Sequence, residues 1–320
     1  MPPLLELINV TKHFKVRSGM LGLQAGTVRA VDGVSLTVNK GETLGLVGES
    51  GCGKSTLAKC IMGLESVTSG EVVFKGRSLS SWDEKKLRRN MQMVFQDPYS
   101  SLNPRQKIGS IIRESLDIHH IGTKEERKEK VIELLRLVGL RQEHGQRYPH
   151  EFSGGQRQRV AVARTLALDP DLVVCDEPLS ALDVSVQAQV IGLLKDLQTR
   201  FDLTYVFISH DLSVVSHISD TVAVMYLGRI MEIGPSETLF ADPKHPYTKA
   251  LLSAVLLPDP TRQAERIALT GDLPSPMNPP SGCPFHPRCP EAFDKCRRGR
   301  PNLMPLDTGV KTACWLYGSE

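Results

Sequence analysis

The sequence has no apolar run approaching the roughly 20 residues needed to cross a bilayer, so any membrane role has to come through a partner. It has little net charge, +3 over 320 residues, which is too small to argue for nucleic acid or a membrane surface as the main partner. The opening Met1-Pro2-Pro3-Leu4-Leu5-Glu6 has neither a basic stretch nor an apolar one, and no secretory signal is expected. No repeat at solenoid spacing is visible. The seven cysteines include no C-x2-C pair, and three of them (Cys52, Cys60 and Cys175) are scattered through the body of the chain. That usage suits a reducing cytosol better than a disulfide framework.

What remains is ordinary for a globular protein: 40% apolar and 23% charged residues. The length suggests two domains, or one large domain with an appendage. Leu4 to Val10 and Ala30 to Val38 read as strands, with Val16 to Thr27 between them as an exposed, glycine-marked loop. Glu71 to Phe74 and Asn90 to Gln96 are further strand patterns. Helical periodicity then takes over to about Phe152. Thr123-Lys124-Glu125-Glu126 is a capping box, Val131, Leu134, Leu135 and Val138 share one helical face, and Gly139 is a stop. Glu126 and Lys130 are expected to pair at i,i+4. Leu172 to Cys175 and Tyr205 to Ile208 are short apolar strands, and Val190, Leu193, Leu194 and Leu197 form a helical stripe between them. Val222 to Tyr226 and Arg229 to Ile233 form a hairpin around Leu227-Gly228. Strands alternating with helices predict an α/β fold with a parallel sheet.

The strongest motif is Gly48-Glu49-Ser50-Gly51-Cys52-Gly53-Lys54-Ser55-Thr56. It follows the buried strand Thr43 to Val47 and precedes a helix whose face carries Leu57, Ile61 and Leu64. Glycines let backbone N–H groups curl around an anion, and the helix N-terminus adds partial positive charge. Lys54 is expected at the β- and γ-phosphates of a nucleoside triphosphate, and the Ser55 hydroxyl on Mg²⁺. Cys52, beside a helix N-terminus, is expected to be an acidified, reactive thiol. The second motif is the apolar strand ending in Asp176-Glu177. Asp176 is placed to hold Mg²⁺, and Glu177 to polarise a water for in-line attack on the γ-phosphate.

Phe152-Ser153-Gly154-Gly155-Gln156-Arg157-Gln158-Arg159, just upstream of that strand, resembles the signature sequence of the ATP-binding-cassette (ABC) family. Phe14, Gln96, Ser180-Ala181-Leu182-Asp183 and Ser209-His210-Asp211 stand in the family's order. The resemblance implies a P-loop NTPase cassette: a mixed or parallel sheet core, an N-terminal antiparallel part and a helical subdomain, with a proline- and cysteine-rich C-terminal appendage. The expected division is a core of 1–96 and 153–238, a helical insert of 97–152 and a C-terminal region of 239–320. It further implies that two cassettes sandwich two ATP molecules head to tail. Ser153, Gly154, Gly155 and Gln156 of one chain would then face the γ-phosphate held by the other, with Asp183 at the seam. Phe14 would stack on adenine, Gln96 would contact Mg²⁺ or the attacking water, and His210 would contact the γ-phosphate.

Gln96-Asp97-Pro98-Tyr99-Ser100-Ser101-Leu102-Asn103-Pro104-Arg105 resembles the peptide and nickel importer branch, where this segment receives helices of the transmembrane subunits. Asp242-Pro243-Lys244-His245-Pro246-Tyr247-Thr248 and Gly271-Asp272-Leu273-Pro274-Ser275-Pro276 resemble the tail of dipeptide and oligopeptide importer ATPases, closest to the F-type subunit. This implies an ATPase at the cytoplasmic face of a prokaryotic plasma membrane. Its partners would be a second, non-identical ATPase, two permease subunits and, indirectly, a solute-binding protein, with no nucleic acid. Nickel, glutathione or glycosides are alternative solutes, and a soluble ABC ATPase of DNA repair or translation is the alternative class. Cys283, Cys289, Cys296 and Cys314 could converge on one metal. Their spacing fits neither zinc ribbons nor ferredoxins, and the resemblance favours a [4Fe–4S] cluster, with zinc or free thiols as alternatives. Thirteen of the 21 prolines follow Phe240, so this tail is too proline-rich to build long helices or central strands.

Overall fold

The structure, a computed structural model, describes residues 2–18, 23–97, 101–254, 267, 269 and 271–318, and every statement of absence below concerns these residues. In chain order the elements are β1 (Leu5–Ser18), β2 (Leu23–Val38), β3 (Thr43–Val47), α1 (Lys54–Ile61), β4 (Ser69–Phe74), β5 (Arg77–Ser78), α2 (Glu84–Asn90) and β6 (Met91–Val94). There follow α3 (Ile108–Ile118), α4 (Lys124–Leu137), α5 (Gly154–Leu166), β7 (Leu172–Asp176), α6 (Val184–Phe201), β8 (Thr204–Ile208), α7 (Leu212–Ile218), β9 (Thr221–Tyr226) and β10 (Arg229–Pro235). The tail adds α8 (Ser236–Ala241), α9 (Pro246–Ser253), α10 (Asp294–Arg298), β11 (Met304–Pro305) and β12 (Lys311–Thr312). The chain divides into two compact units, one of 1–38, 43–78 and 210–320 and the other of 39–42 and 79–209.

In the first unit β1 pairs antiparallel with β2 and with β4, which in turn carries β5. The β1–β2 ribbon continues through Lys15↔Thr27 and Val16↔Gly26 to Ser18↔Leu23, where the sequence suggested a loop. Gly26 is a packing glycine: a Cβ there would meet the Met277 side chain at 2.5 Å. The glycine that looked like a loop signal thus makes room for the tail. The innermost segment of the expected loop, 19–22, lies outside the described residues. β3 is buried at every position and runs parallel to β9. β9 and β10 form the expected hairpin, with Leu227 (φ 43°) and Gly228 (φ 79°) both left-handed, as a tight two-residue hairpin turn requires.

The tail extends this sheet rather than standing apart from it, since β12 pairs with β10 and β11 with β12. Glu232 of β10, fully buried, accepts backbone N–H bonds from Lys244 (2.7 Å) and His245 (3.0 Å). A buried carboxylate must be satisfied in this way, and burial raises its pKa. Tyr226, Tyr247 and Phe285 close the join, with ring centroids 4.8 to 5.4 Å apart. Leu64, expected on the buried face of α1, is 49% exposed because the helix ends at Ile61 and the chain turns at Gly63 (φ 64°).

In the second unit β6, β7 and β8 are parallel, and β7 and β8 are buried throughout. α3 buries Ile108, Ile111, Ile112 and Leu116, and α4 buries Val131, Leu134 and Leu135. Each such aliphatic side chain contributes roughly 1.5–3 kcal/mol. The Thr123 box is formed in both directions: Glu126 accepts from Thr123 N–H (2.6 Å) and Thr123 Oγ1 from Glu126 N–H (3.2 Å). That use of its carboxylate leaves the expected Glu126–Lys130 pair unmade. Lys130 faces Glu133 and Asp169 instead.

Candidate nucleotide site

The phosphate-binding loop belongs to the first unit. It leaves β3 at Gly48 (φ 151°), turns at Gly51 (φ 79°) and enters α1 at Gly53 (φ 111°), all backbone conformations that side chains resist. Space excludes side chains as well. A Cβ at Gly48 would stand 2.2 Å from Met225 O, and one at Gly53 would stand 2.0 Å from Ala30 O. The loop is also tied to the hairpin by Gly228 N–H donating to Cys52 O (2.8 Å). Lys54 is 4% exposed, and its ammonium donates to Gly48 O (2.7 Å) and Glu49 O (3.1 Å), so its charge lies inside the curl of the loop. Ser50 and Gly51 are exposed, and Ser55 and Thr56 half-buried.

Cys52 corrects an expectation. It is 1% exposed, and burial pushes its thiol pKa up, against the pull of Lys54. The helix N-terminus is present, but desolvation of the thiolate outweighs it. Cys52 is a packed thiol, not an activated one.

Glu49 meets groups that the sequence reading missed. Arg288 Nη1 and Nη2 donate to its two carboxylate oxygens at 2.6 and 3.0 Å, and Glu49 N–H donates to the Tyr247 hydroxyl at 2.9 Å. The available signal was the acid itself, since a carboxylate within an anion-binding loop needs a cation. Nothing local said which. Phe14 lies on β1, opposite Val28 and 36% exposed, with the Lys12 ammonium 4.9 Å from its ring centroid. His210 is exposed, and the following Asp211 caps α7, accepting from Ser213 N–H (2.9 Å) and Val214 N–H (3.3 Å).

The second unit holds the acids and the signature. β7 delivers Asp176 at its end, 7% exposed. Glu177 turns left-handed (φ 46°), a conformation that costs a non-glycine residue about 1–3 kcal/mol. The turn is held by Glu177 N–H donating to Ile208 O (3.0 Å) and by Ser180 Oγ donating to Glu177 O (3.1 Å). Gln96 Nε2 donates to Glu177 Oε2 at 3.0 Å, so the two residues expected around the attacking water stand together. The segment that follows, Pro98–Ser100, lies outside the described residues.

Ser153 caps α5, accepting from Gln156 N–H (3.3 Å), while the Gln156 carboxamide accepts from Ser153 N–H (3.1 Å). The first-turn N–H groups of Gly154 and Gly155 have no partner within the helix. Ser153 and Gly154 are exposed. Gly155 is buried because a Cβ would meet Val186 of α6 at 2.4 Å, so α6 packs on the start of the signature helix. Asp183 at the α6 N-cap makes no capping bond, and it is exposed beside Val184, which is 82% exposed.

In the tail Cys283 and Cys296 are buried and Cys289 and Cys314 half-buried, all as free thiols. Burial, and secondarily the charges of Cys296, Cys314 and Cys289, pushes Cys283 up to about 12. Cys283 N–H donates to Cys296 O (2.8 Å). Among the described residues no three His, Cys, Asp or Glu groups stand close enough to hold a metal ion. The expected metal site is not met as a compact ligand set.

Comparison with known proteins decides the family. The ABC transporter family model matches residues 31–180, and that of the oligopeptide/dipeptide transporter C-terminal region matches residues 231–296. The oligopeptide transport ATP-binding protein AppF of Bacillus subtilis is 54% identical, over 98% of this chain and 97% of its own. The chain belongs to the ABC transporter ATP-binding proteins of the oligopeptide/dipeptide type. The dipeptide transport ATP-binding proteins DppF of Haemophilus influenzae and of Escherichia coli are 54% and 53% identical over nearly the whole chain. Among solved structures, the dimeric cassette MJ0796 in a post-hydrolysis state with ADP and Pi superposes with TM-score 0.64 at 29% identity, over 72% of this chain and 98% of that one. CbiO1 of Clostridium perfringens superposes with TM-score 0.65 at 25% identity, over 76% and 92%. As a member of this family the chain is an ATPase with the ABC cassette fold. No helix among the described residues is long and apolar enough to cross a membrane.

Proposed function

We propose that this chain energises a membrane importer of di- or oligopeptides from its cytoplasmic face, paired with a second, non-identical ATPase on two permease subunits that receive solute from a binding protein. The observation that carries the reading is the full-length match to peptide-transport ATPases, tail included. In this reading Gly48 to Thr56 cradles the phosphates, Ser55 and Asp176 hold Mg²⁺ with Gln96, and Phe14 stacks on adenine. Glu177 draws a proton from the attacking water as Gln96 orients it, and His210 meets the γ-phosphate. Ser153 to Gln156 and Asp183 serve the site of the facing cassette. ATP closes the pair, hydrolysis opens it, and the helical insert of 97–152 passes the motion to the permeases.

Cys283, Cys289, Cys296 and Cys314 are the candidate ligands of a [4Fe–4S] cluster. The support is an all-cysteine donor set within one tail, two of whose members are joined by Cys283 N–H donating to Cys296 O at 2.8 Å. Its role would be to staple a tail too short to build its own core. Anaerobically purified chain should then show a brown colour that a Cys296→Ser variant lacks, and colourless native chain would remove the cluster from the account.

Expression with detergent-solubilised permease subunits tests the transport reading. The chain should co-purify with them, and ATPase activity in vesicles should rise with peptide-loaded binding protein. Stimulation by nickel- or glycoside-loaded binding protein in place of peptide would reassign the solute. Recovery on ribosomes or DNA would refute the transport reading.

A further inference from the structure

An ATP site draws in several negative charges, and this chain places a carboxylate, Glu49, at the second position of the loop that has to receive them. Left alone, a half-buried carboxylate there would repel a triphosphate across a short, poorly screened distance. It is not left alone. Arg288, 239 residues away in sequence, meets it with two bonds in the planar fork geometry that suits guanidinium and carboxylate. The Arg288 side chain is 7% exposed against 25% for Glu49, and its guanidinium carbon lies 5.9 Å from the Tyr226 ring centroid. The Tyr247 hydroxyl accepts the Glu49 N–H, and the loop's Gly51 faces Leu273 at 3.9 Å from where its Cβ would be. Two side chains of the tail, Arg288 and Tyr247, thus hold Glu49 by its carboxylate and by its backbone N–H.

The arginine's own position is fixed by the tail. It ends the short 3-10 turn His286–Arg288, Arg288 N–H donates to Phe285 O (3.0 Å), and the turn is bracketed by Cys283 and Cys289. Phe285 is fully buried among Tyr226 and Tyr247.

We propose that Arg288 is a positioning residue of the nucleotide site. It cancels the charge of Glu49 and keeps that carboxylate on the tail side of the loop, so that the C-terminal region completes the ATP site as well as extending the sheet. The proposal rests on the reading that Gly48 to Thr56 holds the triphosphate. A purely structural arginine would matter whatever stood at position 49. A charge-cancelling one matters only while position 49 is acidic.

The test is a double-mutant cycle on the full chain, read by equilibrium binding of fluorescent mant-ATP with Mg²⁺ and by thermal unfolding. Arg288→Met should weaken binding about tenfold and Arg288→Lys about threefold, since lysine keeps the charge without the fork. Glu49→Gln sets the reference for a neutral loop, and adding Arg288→Met to it should change binding by no more than about twofold. Parental affinity in Arg288→Met, or an Arg288→Met/Glu49→Gln pair about tenfold weaker than Glu49→Gln alone, would overturn the proposal. If Arg288→Met does not unfold cooperatively, the same cycle with Arg288→Lys carries the test. Lys54→Ala separates the two readings. Loss of binding there alongside parental affinity in Arg288→Met refutes only the clamp, whereas parental binding in Lys54→Ala refutes the phosphate-loop reading itself.

Discussion

The two helix N-termini assigned to phosphate in the proposed function, those of α1 and α5, are built differently. At α1 the loop is tightly wound on left-handed glycines, its lysine is buried, and two glycines sit where a Cβ would strike backbone oxygen at 2.0–2.2 Å. At α5 Ser153 and Gly154 are exposed, and the helix is capped by its own Ser153 and Gln156. The first is a complete cradle that its own unit supplies. In the proposed reading the second offers its first-turn dipoles to a ligand that a facing cassette brings. In the proposed reading catalysis therefore needs two cassettes while binding needs one.

Breaking the cradle should have the largest effect. Lys54→Ala should weaken Mg-ATP binding by about 100-fold or more, measured by mant-ATP titration, because it removes a buried charge that faces phosphate. Next in size, Glu177→Gln should leave binding intact and lower turnover by about 10²–10⁴-fold, trapping an ATP-dependent dimer visible by sedimentation. Normal turnover in that variant would remove the base assignment. A smaller effect is expected at the outward helix. Gly155→Val would drive its side chain into Val186 and lower stability by about 1–3 kcal/mol in urea unfolding, with ATP affinity per folded chain unchanged. The smallest contrast concerns Cys52, where iodoacetamide should label the native chain at least about tenfold more slowly than the unfolded one. Equal rates would restore the activated thiol.

One pH effect belongs to the tail. His245 is fully buried and held neutral, its pKa pulled down to about 3 by burial, and its Nδ1 accepts Tyr247 N–H at 3.0 Å. Because the unfolded chain takes up the proton near pH 6.5, stability is full above that value and declines as pH falls towards about 3. Thermal midpoints between pH 7 and 5 should drop less in His245→Gln than in the parent.

Features written within a few residues of each other were legible in the sequence. The phosphate loop between its strand and helix, the Thr123 box, the Leu227-Gly228 hairpin and the paired acids after β7 are all local. Each also carries a residue type that admits few alternatives. What failed was competition between neighbours for one group: Glu126 spent its carboxylate on the cap rather than on Lys130, and burial outweighed the helix dipole at Cys52. What stayed invisible was long-range closure. Met277 filling the space at Gly26, and Arg288 meeting Glu49, join parts of the chain that no periodicity connects.

In the proposed reading one chain binds ATP and two cassettes hydrolyse it. ATPase rate per chain, measured at saturating Mg-ATP across a wide range of total protein concentration, tests it most directly. Turnover should be slow in dilute chain and rise with concentration, or on addition of a second cassette. A per-chain rate that is substantial and independent of concentration would contradict it.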